Sequence, residues 1–430
     1  MKNIETADLY ELFKACGSSV CTDSRSVKEG AMFFALKGEN FDGNEYALKA
    51  LEAGAAYAVV DSDSVVAQSD DSRLIKVQNT LNTLQELARW HRCMTIVDGK
   101  PLTVIALTGT NGKTTIATLL YKLVRALGHK AGLLSTVVNY IDNEAVTATH
   151  TTPDAIALNS LLRRMVDAGC EYAFMEVSSH SIAQERIAGL DFDGALFTNL
   201  TRDHIDYHKT FDNYRDTKKR LFDNLKKTAF AITNKDDKNG LVMTQNCQAD
   251  VHTYSTRSLA DYKAQILEEG FDGMLLHINN KEVFVPLVGR FNVSNLLCIY
   301  GAALSLGFSE TDVLCVLSTL HPVNGRFETI HSPKGWTAIV DYAHTPDAVD
   351  NVIQTIREIK KEGARLITVV GCGGNRDKGK RPLMAQEAVK QSDKVIITSD
   401  NPRSEDPQQI ISDILAGFKS TANVIVEPDR

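Results

Sequence analysis

Residues 107–115 read Leu-Thr-Gly-Thr-Asn-Gly-Lys-Thr-Thr, and their types suit one task, holding a polyphosphate. Gly109 and Gly112 permit a tight turn whose backbone N–H groups face inward. Lys113 supplies a point charge, and Thr114 offers a hydroxyl suited to Mg²⁺. A helix starting at this point adds the partial positive charge of its N-terminus. The strict pattern for such loops has glycine where this chain has Leu107, so the loop is a variant. Its context supports it: residues 101–107 are short, apolar and β-branched, as a buried strand is, and 116–127 carry apolar residues at helical spacing.

Further along, Glu176-Val-Ser-Ser-His180 follows the strand-like run 171–175. In an open α/β sheet, ligands bind beyond the carboxyl ends of strands, so Glu176 is placed to face Lys113 and to hold Mg²⁺ beside Thr114. The segment 197–208 gathers Asp203, His204, Asp206 and His208 into six residues. His204 and His208 have the spacing of a metal pair on one helix face, but no glutamate lies between them and no third ligand follows. One histidine serving a Mg²⁺ site, or a capped surface turn, fits better. The basic run 214–222 reads by itself as a solvated helix face. Asp400-Asn-Pro-Arg403 follows another strand; Pro402 stiffens the turn and Arg403 could offer a bidentate fork to a carboxylate. As a lone feature that arginine reads as a surface residue.

These residues need a frame to position them. At 430 residues the chain exceeds one core, and about three domains is the natural expectation. Residues 1–97 alternate short strands (32–36, 56–60, 73–77) with helical stretches such as 46–51, which predicts a small α/β domain. Turn residues cluster at 97–101, a plausible linker. Residues 98–318 alternate again, with strands near 104–108, 172–177, 194–199 and 228–233, the pattern of a doubly wound nucleotide-binding domain. Residues 319–430 show strands at 338–341, 366–370 and 394–398, and helices at about 347–361 and 382–391. This third α/β unit ends straight after a strand-like run at 423–426, so it reads as incomplete.

Composition sets bounds. Net charge of −7 argues against a binder of nucleic-acid backbones. The eight cysteines lack CxxC spacing and read as reduced thiols rather than a disulfide frame or zinc site. No apolar run approaches the ~20 residues that span a bilayer, and no signal core opens the chain. The expected setting is cytoplasmic, with no nucleic-acid partner and no membrane insertion.

Taken together, Thr108-Gly-Thr-Asn-Gly-Lys-Thr114, Glu176-Val-Ser-Ser-His180, Thr198-Asn199, Asp203-His204, Gly289-Arg-Phe-Asn292, Asn324-Gly-Arg-Phe327 and Asp341-Tyr-Ala-His344 strongly resemble the Mur ligases of peptidoglycan precursor synthesis. These are ATP-dependent, ADP-forming amide ligases of three α/β domains. Thr22-Asp-Ser-Arg25, His150-Thr-Thr-Pro-Asp154 and the run 371–382 resemble signatures of members that add the third amino acid of the stem peptide, meso-diaminopimelate, to a UDP-N-acetylmuramoyl dipeptide. A lysine-adding relative, a folylpolyglutamate-type ligase and a nucleotide-driven switch are the rival readings.

The resemblance implies roles. Thr108, Gly109, Thr110, Asn111, Gly112, Lys113 and Thr114 hold the ATP phosphates. Thr114 and Glu176 hold Mg²⁺, with His204 serving a second ion. Asn292 and Arg326 contact the nucleotide, and Asp341 its ribose. Ser24 and the loop of Glu39, Asn40 and Phe41 bind the uridine diphosphate end. Thr151, Thr152, Ser178, Gln184 and Arg186 hold the sugar-peptide. Arg376, Asp400, Asn401, Pro402 and Arg403 receive the amino acid. Lys218 matches the lysine that the family carries as a carbamate (N6-carboxylysine), a metal ligand and, with Lys113 and His204, part of the catalytic set. Carbamation needs a neutral amine, and a free lysine is neutral at pH 7 only about once in a few thousand. The neighbouring charges Arg215, Lys219 and Arg220 are expected to depress its pKa.

Overall fold

The computed structural model describes residues 6–38, 41–93, 102–418 and 422–429. Its contacts divide the chain into two units. One comprises Met1–Leu102, Thr152–Glu171 and Ala183–Asp191; the other comprises Thr103–Thr151, Tyr172–Ile182 and Phe192–Arg430.

In the first unit the apolar runs form a parallel sheet in the order Val20–Cys21, Met32–Phe34, Tyr57–Val60, Leu74–Lys76. Both faces are covered, as an all-parallel sheet requires. Ala47, Ala50 and Leu51 pack on one side, and Leu9, Tyr10, Phe13, Leu84 and Leu87 on the other. The linker at 97–101 lies outside the described residues.

The largest sheet of the second unit spans residues 103–285. Its parallel centre runs Ala131–Leu134, Tyr172–Glu176, Thr103–Thr108, Gly194–Phe197, Phe230–Asn234, Asp250–Ser255. From Thr103–Thr108 the chain first builds towards one edge and then, at Gly194–Phe197, towards the other. The carboxyl end of Thr103–Thr108 is therefore a topological switch point, where open α/β sheets bind ligands. Leu107, the departure from the glycine pattern, explains itself here. It is fully buried inside this strand, and its carbonyl accepts the N–H of Val177 at 2.8 Å. Antiparallel ribbons that the sequence reading did not predict extend both edges, Val138–Ile141 with Glu144–Thr147 and Tyr262–Gly270 with Gly273–Ile278 and Lys281–Val285.

The helix Lys113–Ala126 begins three residues earlier than the apolar period suggested and is buried nearly all round, between the sheet and the helix Arg290–Ser305. Beyond residue 318, Ile367–Val370, Lys394–Thr398 and Val424–Glu427 form a parallel sheet. Thr345 caps the helix Pro346–Ile359, its hydroxyl accepting from Ala348 N, and Pro346 opens the first turn. The strand expected at 338–341 does not join this sheet. Thr337–Val340 pairs antiparallel with Glu328–His331, because the tight connection around Gly335 (φ 86°) returns the chain on itself. No helix among the described residues is long and apolar enough to cross a membrane.

Candidate active site

The loop after Thr103–Thr108 is shaped by the next strand. Gly109 takes φ 145°, and a Cβ there would stand 1.9 Å from Thr198 Oγ1. Only glycine permits that approach. Thr198 Oγ1 donates to the Asn111 carbonyl at 2.6 Å, and Asn199 Oδ1 accepts the Asn111 N–H at 2.9 Å. Gly112, at φ 88°, starts the helix, and a Cβ there would stand 2.6 Å from Asn295 Oδ1. Lys113 folds over this loop, its Nζ donating to the carbonyls of Gly109 (2.9 Å) and Thr110 (2.8 Å). Burial pulls its pKa below the usual lysine value, and the charges of Glu176 and Asp203 act against that fall.

Glu176 ends Tyr172–Glu176 with no exposure. Its Oε1 accepts from Thr114 Oγ1 at 2.9 Å and from the Thr136 N–H at 2.9 Å, and Thr136 Oγ1 lies 3.2 Å from each carboxylate oxygen. Thr136 Oγ1 also reaches Thr151 Oγ1 at 3.1 Å. Arg326 Nη2 donates to Thr114 Oγ1 at 3.0 Å, and its guanidinium lies 4.6 Å from the Tyr342 ring centroid. Asp341 accepts the N–H groups of Phe327 and Ala343, each at 2.7 Å, and burial pushes its pKa up. Asn292 donates to Val288 O at 2.8 Å and accepts from Asn295 at 3.1 Å, so its amide joins the first turn of the helix to the residue before its cap.

Lys218 overturns the solvated-face reading of the basic run. The helix Phe211–Asp223 turns it inward, to 1% exposure under the phosphate loop. There Nζ donates to Gly109 O at 3.0 Å and Thr108 Oγ1 at 3.3 Å, 4.9 Å from the Tyr214 ring centroid. Its pKa is lowered well below the ordinary value, by burial first and then by Lys113. That corrects the expected cause. Arg215 is paired with Asp212 and Asp216, and Lys219 with Asp223, and none of these charges is what depresses the amine.

The histidines part company. His204 precedes the short helix Ile205–His208 at φ 54° and sets Nε2 3.3 Å from Asp203 Oδ2. His208 is inside that helix and shares a hydrogen bond with Ser179 Oγ at 2.9 Å. The His180 ring lies between them, with centroids 4.7 Å from His204 and 5.7 Å from His208. Both rings also meet Tyr214, at 6.2 and 5.2 Å, so the two histidines face one way, with His204 capping the helix rather than standing inside it. Burial drops His204 to about 3, against the pull of Asp203, and drops His208 to about 4. Among the described residues no three His, Cys, Asp or Glu side chains form a metal cage.

Beyond residue 370, two loops meet. Arg403, exposed and at φ 51°, donates from Nη1 to Gly374 O at 2.6 Å, and its N–H is received by Asn401 Oδ1 at 3.2 Å. Arg376 is exposed and bonds the carbonyl of Asn375 at 3.3 Å; Asp400 is exposed and Pro402 half-buried. In the first unit, Arg186 holds Gln184 Oε1 with Nε (2.9 Å) and Nη2 (2.6 Å), and Thr152 O with Nη1 (2.8 Å). Ser24 sits in the turn that Asp23 and Arg25 close. Phe41 is 59% exposed, while Glu39 and Asn40 lie outside the described residues. Ser178 Oγ accepts the Ser181 N–H at 3.1 Å.

Comparisons with known proteins give the family. Residues 18–92 match the Mur ligase family, catalytic domain; 107–303 the Mur ligase middle domain; and 325–430 the Mur ligase, glutamate ligase domain. A protein of Phocaeicola vulgatus is 60% identical over 406 residues, covering 93% of this chain and 82% of its own length. The chain belongs to the Mur ligases. That relative, and one of Parabacteroides distasonis (57% identical, with the same coverage), are named UDP-N-acetylmuramoyl-L-alanyl-D-glutamate--2,6-diaminopimelate ligase. A solved structure of that name is 32% identical with a TM-score of 0.68, covering 96% of this chain and 84% of its own. Within this Mur ligase, Thr136, Tyr214, Lys380 and Arg381 escaped the sequence reading. Tyr214 Oη bonds Thr110 Oγ1 at 3.1 Å, and Lys380 Nζ lies 3.4 Å from Asp203 Oδ1. Tyr214 had a signal, four residues before Lys218 on one helix face, and Lys380 and Arg381 lie within the run 371–382.

Proposed function

We propose that this Mur ligase joins meso-2,6-diaminopimelate to UDP-N-acetylmuramoyl-L-alanyl-D-glutamate, forming ADP through an acyl phosphate. Its domains divide at 97/98 and 318/319. The observation that carries the reading is the meeting on Thr114 Oγ1 of the Glu176 carboxylate and the Arg326 guanidinium. The phosphate loop, the neighbouring strand and the third segment thus converge on one hydroxyl. The names of relatives at 57–60% identity supply the substrates.

The substrate carboxylate attacks the γ-phosphorus of ATP, the bond to the β-phosphate breaks, and ADP leaves. Both reactants are anionic, so the Lys113 ammonium must offset the charge that builds between them. Phosphates beside it favour its charged form. The amino group of diaminopimelate then attacks the acyl carbon, loses a proton, and phosphate departs. Water must be kept from the acyl phosphate meanwhile.

Thr114 Oγ1 and the buried Glu176 carboxylate are the hard oxygen donors that Mg²⁺ prefers, and they are the residues that would hold it. Bound there, the ion lends positive charge to the transferring phosphoryl group. His204, kept neutral by burial, is the candidate for a second ion. Lys218 is buried beside another lysine, which favours the neutral amine that carbamation needs. The amine nitrogen bonds the carbon of CO₂ and releases a proton, leaving N6-carboxylysine. Asn292, Arg326 and Asp341 serve the nucleotide, and Arg186 and Gln184 the dipeptide. Arg376 and the turn Asp400-Asn-Pro-Arg403 serve the amino acid.

The test is ADP release with each substrate withheld in turn. The reading expects release only with ATP, the UDP-dipeptide and diaminopimelate together, and ¹⁸O from a labelled dipeptide carboxylate in the phosphate released. Release without the dipeptide, or phosphate free of label, overturns it.

A further inference from the structure

Arg381 is the largest side chain among the described residues to be wholly buried, and it is a charge. Removing a guanidinium from water is unfavourable unless carboxylates meet it in good geometry. Arg381 stands in the first turn of the helix Lys380–Gln391, and its partners come from elsewhere. Glu405 takes the fork in bidentate fashion, Nη1 to Oε2 at 3.0 Å and Nη2 to Oε1 at 2.9 Å. Asp413, on the helix Pro407–Leu415, accepts from Nη1 at 2.7 Å. Gly373 O lies 3.4 Å from Nη2.

Glu405 has a second task. It accepts the backbone N–H of Asn375, which lies beside Arg376, and it faces Lys378 Nζ at 3.3 Å. Around that contact the two loops are stitched together. Gly374 N–H donates to Asn401 O at 2.9 Å, Arg403 Nη1 donates to Gly374 O at 2.6 Å, and Asn375 Nδ2 donates to Ser404 Oγ at 2.9 Å. Glu405 is thus one of the acceptors that tie turn 400–405 to loop 371–376, the one that Arg381 fixes.

We propose that Arg381 is a positioning residue for the incoming amino acid, bracing Glu405 and the Gly373 carbonyl so that Arg376 and Arg403 keep a fixed separation. It touches no substrate itself. Asp413 references the brace to a helix, so the two recognition arginines inherit the rigidity of the helical layer. A lysine could not do this, since a point charge cannot span Glu405 and Asp413 as a planar fork does. The proposal rests on the reading above that Arg376 and Arg403 receive the amino acid.

The experiment measures KM separately for diaminopimelate, ATP and the UDP-dipeptide in wild type, Arg381→Lys, Glu405→Gln and Arg403→Ala, with thermal melts to establish folding. Small misplacements of binding groups are expensive, so Arg381→Lys is expected to raise KM for diaminopimelate about tenfold or more. Its KM values for ATP and dipeptide stay within about twofold. Glu405→Gln is expected to reproduce the pattern and carries the test if Arg381→Lys does not fold. Diaminopimelate KM unchanged in both, or all three KM values rising together, overturns the brace. Arg403→Ala separates the two failures. If it leaves diaminopimelate KM unchanged, the reading of the amino-acid site falls and the brace with it; if it raises that KM while the brace variants do not, the brace alone falls.

Discussion

At the scale of single residues, the environment of Lys218 decides what that side chain can be. A hydroxyl and a carbonyl oxygen hold it, no carboxylate among the described residues pairs with it directly, and Lys113 repels its charge from the same loop. A lysine kept only for solubility would lie on the face where Arg215 and Lys219 lie. Lys218→Ala is expected to lower turnover about 100- to 1000-fold, the usual cost of removing a preorganised charge from a site. Acetate should restore part of the activity, and bicarbonate none, because the carbamate needs its own amine. Near-normal turnover at saturating Mg²⁺ would contradict this. Arg403 carries a second prediction at this scale. Diaminopimelate differs from lysine mainly by a distal carboxylate, and a charge-assisted bond to it is worth roughly 1.5–3 kcal/mol, about ten- to 150-fold. Relative kcat/KM for the two amino acids should show that preference in wild type and lose most of it in Arg403→Ala.

At the scale of elements, the phosphate loop was legible because its signal is local. A β-branched strand, two glycines, Lys113 and Thr114 lie within about a dozen residues, and a helix follows. Glu176 was legible for the same reason, as the residue ending the adjacent strand. What stayed hidden depends on contacts distant in sequence. Nothing near Thr136 marks it as a partner of Glu176, and nothing near Arg381 announces Glu405 and Asp413. The direction of Lys218 and the true cause of its lowered pKa were hidden likewise, since its sequence neighbours point outward. The edge ribbons were missed because short antiparallel strands leave weak alternation. Gly109 tests whether the loop and the next strand are one device. Gly109→Ala forces a Cβ into Thr198 Oγ1 at a φ that L residues avoid, a strain of about 1–3 kcal/mol. The variant should lose the thermal stabilisation that ATP confers, while its ligand-free melt falls only a few degrees. Full ATP protection would separate the loop from Thr198.

At the scale of the whole molecule, acid should loosen the fold through its buried histidines. His208 is held neutral down to about pH 4 by burial, with His180 also opposing its charge. The unfolded chain takes up that proton near the ordinary 6.5, so the folded state loses stability as pH falls from about 6.5 to 4 and keeps it above. His208→Asn retains a partner for Ser179 and should flatten the decline of Tm over that window. Equal slopes in wild type and variant would show that other groups govern it. Ligation itself is tested by counting its products. Purified protein is given ATP, Mg²⁺, the UDP-muramoyl dipeptide and either diaminopimelate or lysine, and mass spectrometry quantifies UDP-muramoyl tripeptide against ADP. One tripeptide per ADP is expected with diaminopimelate and far less with lysine. ADP accumulating without tripeptide, as a nucleotide-driven switch would produce, would contradict it.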